Sequence, residues 1–142
     1  MNNNYQVFEL FSEKPFPGFN EMIDAAKSFG NRAHKVKYNG YSTLKKTWTD
    51  RLCQAIKNAN IIHIDKLFIY MIWHEKSKRR DPDNIVAFAK FILDSLQQTN
   101  VIKKDNWAHI KGIKNTFVYS DRSGVVVRLY DTTKNKPSNT KI

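Results

Sequence analysis

Seven consecutive apolar residues, Leu67 to Trp73 (LFIYMIW), stand between Asp65–Lys66 and His74–Glu75. A run this apolar has to leave water. It is too short for a typical helix between charged flanks, and its β-branched and aromatic content suits a buried strand. Such a strand needs neighbours, and three other segments read as strands. Tyr5 to Phe11 (YQVFELF) mixes β-branched and aromatic residues with polar ones and is broken by Pro15, Pro17 and Gly18. Ile110 to Tyr119 and Val125 to Tyr130 carry the same signal, joined around Asp121, Arg122, Ser123 and Gly124, which reads as a hairpin turn.

Helical spacing appears three times. Phe19, Met22, Ile23, Ala26 and Phe29 recur on one stripe, with Gly30 where a helix stops. Ser42 reads as the cap of a second helix, whose stripe is Leu44, Trp48, Leu52, Ala55 and Ile56. Asp83 to about Gln98 has the clearest period, with Ile85, Phe88, Ala89, Ile92 and Leu96 on one face. Between the first two helices, Asn31 to Tyr41 reads as a basic loop presenting Arg32, His34, Lys35 and Lys37 outward. Together these segments predict an α+β fold: a mixed sheet of about four strands, covered on one face by two main helices beginning at Ser42 and Asp83. One domain spanning 1–131 accounts for them, and the polar stretch Thr132 to Ile142 reads as a mobile tail.

Composition narrows the class of partner. The 142 residues include 24 Lys and Arg against 13 Asp and Glu, a formal charge of +11. That balance suits a polyanion such as nucleic acid, although charge alone carries no information on chemistry. The single cysteine, Cys53, excludes an internal disulfide and a cysteine-based zinc site. His34, His63, His74 and His109 lack zinc-ligand spacing. No apolar stretch approaches a membrane span, and the start Met-Asn-Asn-Asn-Tyr5 lacks a secretion-signal pattern, so a cytoplasmic protein without a membrane partner is the expectation.

The segment from Lys76 to Trp107 (KSKRRDPDNIVAFAKFILDSLQQTNVIKKDNW) carries the chemistry. Four cations, Lys76, Lys78, Arg79 and Arg80, run directly into Asp81 and Asp83, which Pro82 separates. Pro82 fixes its own φ and biases Asp81 toward extended backbone, so both carboxylates belong at the start of the following helix. Mg²⁺ takes oxygen ligands, commonly one or two carboxylates plus waters and substrate phosphate, and a close aspartate pair beside cations suits it. An aspartate that merely caps a helix explains the same spacing. On an uninterrupted helical wheel Lys90 projects from the side of Asp83, where an ion pair with Asp94 at i+4 is the plainer role.

RRDPDN at 79–84, KFILDSL at 90–96 and IKKDNW at 102–107 make the chain resemble the RusA-type Holliday junction resolvases, many carried by bacteria and their prophages. GFNEMIDAAK and the basic stretch after it extend the likeness upstream, so that it covers most of the chain to about Tyr130. The resemblance implies an acidic metal site of Asp81, Asp83 and Asp105 for Mg²⁺, with Mn²⁺ as a substitute, and an assisting lysine, Lys90. It further implies cleavage of DNA phosphodiesters at branched structures, with carboxylate-held Mg²⁺ activating water. Two departures stand out. The family's lysine would fall at Ala87, whereas Lys90 begins the matching KFILDSL segment; and the later acidic position is Lys104–Asp105 rather than two aspartates.

Lys76, Lys78, Arg79, Arg80, Lys103 and Lys104 bracket the acidic residues and are expected to hold flanking phosphates, with Lys35 and Lys37 as further DNA contacts. Trp48 reads as core. Trp107 either shapes the site or covers a helix end, and Asn20 and Glu21 either lie near DNA or start a helix. A four-way junction is nearly two-fold symmetric and is cut on two strands, which together with the resemblance implies a homodimer. The apolar strand at Leu67 to Trp73 or an edge at Val125 to Tyr130 is expected to supply its interface. A non-catalytic nucleic-acid-binding module, and a nuclease of this fold acting on other DNA, remain alternatives.

Overall fold

A computed structural model describes residues 4–30 and 40–134, leaving the side chains of 28–30 aside. Lys35 and Lys37, with Arg32 and His34, therefore lie outside the described residues, as does the tail from 135 onward. In chain order the elements are β1 (Gln6–Ser12), α1 (Phe19–Gly30), α2 (Gly40–Asn58), β2 (Leu67–Glu75), α3 (Pro82–Val86), α4 (Ala89–Gln98), β3 (Ile110–Tyr119) and β4 (Ser123–Asp131). The fold is α+β, with a mixed four-stranded sheet in the order β1-β4-β2-β3.

The apolar run at 67–73 lies inside that sheet, where β2 pairs antiparallel with β4 and parallel with β3. Alternation then divides its side chains between two faces. Leu67, Ile69, Met71 and Trp73 enter the core with Phe8, Val125, Val127 and Leu129 from the neighbouring strands. Helical residues Leu52, Ile56, Ile85, Phe88, Phe91, Ile92 and Leu96 cover them from one side. Phe88 is the hub: it stacks on Phe16 at a centroid distance of 4.3 Å and meets Trp48, Trp73 and Phe91 edge-on. Trp48, half-buried at the rim of this cluster, is the core residue its stripe predicts.

The segment at 110–131 corrects the hairpin reading. β3 and β4 do not pair with each other; they flank β2, and the chain crosses the end of β2 at residues 120–122. The Ser120 amide bonds the Glu75 carbonyl at 3.0 Å there. A turn signal records a reversal of direction and carries no record of a strand lying between the two arms. The same topology corrects the expected edge at Val125–Tyr130: it and Leu67–Trp73 belong to the two interior strands, and the sheet edges are β1 and β3.

The long helix expected from Asp83 to Gln98 is two. Between α3 and α4 the bonds from Phe88 to Ile85, Lys90 to Ala87 and Phe91 to Phe88 all span three residues. Three-residue spacing superposes side chains at i and i+3, so Ile85, Phe88 and Phe91 all enter the core. A wheel counted through this step at constant pitch misplaces the residues beyond it, Lys90 included. Ser42 is not the cap expected of it, since α2 already begins at Gly40. Thr132, the first residue of the stretch expected to be a mobile tail, donates from its amide and hydroxyl to the Lys66 carbonyl, at 2.9 and 3.2 Å.

α2 and α4 end alike. Asn60 and Asn100 adopt φ of 55° and 62°, and the following amides of Ile61 and Val101 reach back to the carbonyls of Ile56 and Leu96. This is the left-handed C-terminal cap that asparagine tolerates better than other non-glycine residues.

Candidate functional site

β2 leaves the sheet at Glu75, and five residues later Arg80 returns to it. The Glu75 carboxylate accepts from Arg80 Nε at 3.2 Å and Nη2 at 2.8 Å, while Nη1 donates to the Phe16 carbonyl at 2.7 Å. The side chains of Glu75 and Arg80 are 13% and 17% exposed, so the Arg80 charge is committed inside the protein. Lys76, Ser77, Lys78 and Arg79, all exposed, form the loop that this pair closes. Of the four cations expected to face DNA here, Lys76, Lys78 and Arg79 point outward and Arg80 anchors them.

Asp81 follows with φ −72° and ψ 150°, the extended conformation that Pro82 favours, and its carbonyl accepts from the amides of Asn84 and Ile85. It occupies the helix-capping position without a side-chain capping bond. Asp81 and Asp83 are both exposed, and neither carboxylate makes a hydrogen bond or ion pair with the described residues. A capping role would have engaged the Asp81 carboxylate with a backbone amide.

Asn84 ties this segment to α1. Its Oδ1 accepts from the Asn20 amide at 3.0 Å, and Gly18 lies so close that a Cβ there would stand 2.8 Å from Asn84 and 2.9 Å from Arg80. Gly18 donates to Glu21 Oε1 at 2.8 Å, the half of a capping box that starts α1. Asn20 and Glu21 thus begin a helix and also sit beside α3.

Asp105 lies elsewhere, on the exposed loop between α4 and β3 with Lys103 and Lys104. With Leu93, Asn106, Trp107, Ile110 and Ile113 it lines a groove of about 590 Å³ at the β3 edge. Trp107 is 92% exposed, so it covers no helix end. Lys90, on α4, is 61% exposed and stands 3.7 Å from Asp94, the plainer of its two roles. Lys45 of α2 approaches the other Asp94 oxygen at 3.1 Å, tying α2 to α4. Ala87, where the RusA-type pattern would put its lysine, lies in the α3–α4 step.

Mg²⁺ bound through one or two carboxylates, water and phosphate is a donor set that Asp81 and Asp83 can meet, because both are free and two residues apart. Among the described residues no three His, Cys, Asp or Glu side chains are grouped so as to hold a metal ion, so Asp105 is not gathered with them in this conformation. A second feature escaped sequence reasoning. Phe117 and Tyr119 at the β3 edge are 43% and 68% exposed and, with Lys78, Arg80, Pro82 and Ile85, line a cavity of about 280 Å³. Their strand alternation was legible; their exposure at a sheet edge was not.

Compared with known proteins, the chain matches no family model, and no curated protein is similar enough to count as a relative. Among the described residues no helix is long and apolar enough to cross a membrane.

Proposed function

We propose that this protein is a Mg²⁺-dependent DNA endonuclease, similar to the RusA-type resolvases, that cuts branched DNA at four-way junctions. One observation carries the reading: two exposed carboxylates, Asp81 and Asp83, without a hydrogen bond or ion pair among the described residues, follow a pinned loop whose cations Lys76, Lys78 and Arg79 are exposed. Cations so placed attract the phosphate backbone, and free carboxylates beside them otherwise oppose the binding of a polyanion. Asp81 and Asp83 would hold the ion, with Asp105 approaching when DNA is bound. Mg²⁺ supplies a lowered pKa for bound water and stabilisation of the charge developing on the phosphate. Lys78 and Arg79 hold the flanking phosphates, Lys103 and Lys104 extend that contact, and Lys90 contributes a further positive charge.

Two opposed cuts call for two copies, and a two-fold homodimer provides them. With β2 and β4 interior, the edge strand β3, bearing Ile113, Phe117 and Tyr119 exposed, is the apolar edge available. Light scattering at micromolar concentration measures the assembly directly.

The dispersal of the three aspartates favours a second reading, a DNA-binding module without catalysis. A gel assay of a labelled four-way junction and a linear duplex, each with and without Mg²⁺, separates the two. Mg²⁺-dependent nicking confined to the junction supports the resolvase; binding without any nicking supports the module.

A further inference from the structure

Among the described residues, the helical residues of the core lie on one face of the sheet, and the other face carries strand side chains. Strand register arranges that face in rows. Val7, Arg128, Tyr70 and Lys114 form one row across β1, β4, β2 and β3, and Phe11, Gly124, His74 and Val118 form another. Two glycines let aromatic rings lie down on it. A Cβ at Gly112 would stand 2.6 Å from the Phe68 ring, and one at Gly124 would stand 2.4 Å from that of Phe11. Phe68 and Tyr130 are nearly inaccessible yet stand outside the core cluster, on this second face, with their ring centres 5.9 Å apart.

Cations form the outer layer. The Arg122 guanidinium lies 3.7 Å from the Phe11 ring centre, Arg128 lies 4.8 Å from Tyr5 and 5.6 Å from Tyr70, and the Lys114 ammonium lies 4.7 Å from Tyr70. None of the three makes a side-chain hydrogen bond or ion pair with the described residues. Among the described strand positions of this face, Glu9 is the single acid. An aromatic ring orients a cation without neutralising it, so these charges are held in place and remain available. Guanidinium groups so placed suit the two-oxygen geometry of phosphate.

We propose that this face is a second DNA-backbone contact, across the sheet from Asp81 and Asp83, which holds a duplex arm away from the scissile bond. The proposal rests on the nucleic-acid part of the reading above and is independent of its nuclease part. A second copy of the chain fits poorly, since self-pairing would set the three cations of one copy against those of the other with only Glu9 to offset them.

The test is a salt titration of DNA binding without Mg²⁺, using a labelled duplex and a four-way junction, on the native chain and on a Lys114→Gln/Arg122→Gln/Arg128→Gln variant. Every phosphate that the protein ceases to neutralise makes the slope of log K against log salt shallower by about 0.9, so a flattening of roughly two to three units and at least about tenfold weaker binding are expected. Arg122→Lys/Arg128→Lys keeps the charges and should keep the slope. If the triple variant fails to fold, Lys114→Gln and Arg122→Gln, both at exposed residues, serve singly. A slope unchanged by removal of these cations overturns the proposal, as does a variant whose only change is dissociation in light scattering, which would assign the face to a second copy. Native chain that binds but never cuts sinks the nuclease reading and leaves this face standing. Native chain that cuts, with a variant slope unchanged, sinks this face alone.

Discussion

Glu75 and Arg80 are joined by two parallel N–H···O bonds of 3.2 and 2.8 Å across the mouth of the Lys76–Arg79 loop. The pair gives adjacent arginines opposite roles. Arg80 is held within the fold, and Arg79 is exposed.

Arg80→Gln should therefore act on stability. It leaves the Glu75 carboxylate mostly buried without its partner, at a cost of about 2 to 3 kcal/mol, below the range for fully buried pairs because some exposure remains. Arg79→Gln should change stability by less than about 0.5 kcal/mol and weaken DNA binding instead. Urea denaturation and a binding titration on both variants check the contrast; equal stability losses would refute it.

Asp81→Asn and Asp83→Asn remove charges that no described residue uses, so thermal stability should hold while Mg²⁺-dependent cleavage drops by about a hundredfold or more. DNA binding should persist or tighten as repulsion of phosphate is relieved. Asp105→Asn should show the same split if DNA brings its loop to the metal. Cleavage at the native rate in all three variants would remove the site assignment.

Lys90→Ala is expected to slow cleavage with little effect on affinity, being one cation among 24. Its pairing with Asp94 at 3.7 Å has an exposed Lys90 end and contributes only a few tenths of a kcal/mol. A single-turnover rate equal to the native one would leave Lys90 as a surface ion pair. Ala87→Lys, at the family's lysine position, is the companion measurement, and acceleration there would identify the position the reaction uses.

His74 gives the fold a pH dependence. Burial lowers its pKa below the ordinary 6.5, Arg122 lowers it further, and Glu9 opposes both. Its Nδ1 is buried without a partner among the described residues, in keeping with a neutral ring. The unfolded chain therefore takes up the proton first as pH falls, and native stability should decline from about pH 6.5 downward. His74→Gln should flatten that decline. A thermal midpoint series between about pH 7.5 and 5.5 on both proteins reads it, and identical slopes would contradict the account.

Local chemistry was legible in the sequence where a residue's own covalent structure or periodicity imposes the answer. Pro82 holds Asp81 extended, the run at 67–73 is buried, and the stripes of the Ser42 and Asp83 segments face the core. What sequence could not carry was decided by contacts between segments far apart in the chain. The turn at 120–122 looks the same whether its strands pair or straddle a third, and only the insertion of β2 made β3 an edge and the Leu67 run an interior strand. The helix through 83–98 breaks where three-residue bonds bring Ile85, Phe88 and Phe91 into the core together, a step that a wheel of uniform pitch cannot anticipate. Arg79 and Arg80 are the same amino acid in the same basic run, and the position of Glu75 at the end of β2 is what divides them. Burial and pairing are properties of the assembled neighbourhood, so charges alike in sequence became an anchor and a solvent-facing cation only once the sheet existed.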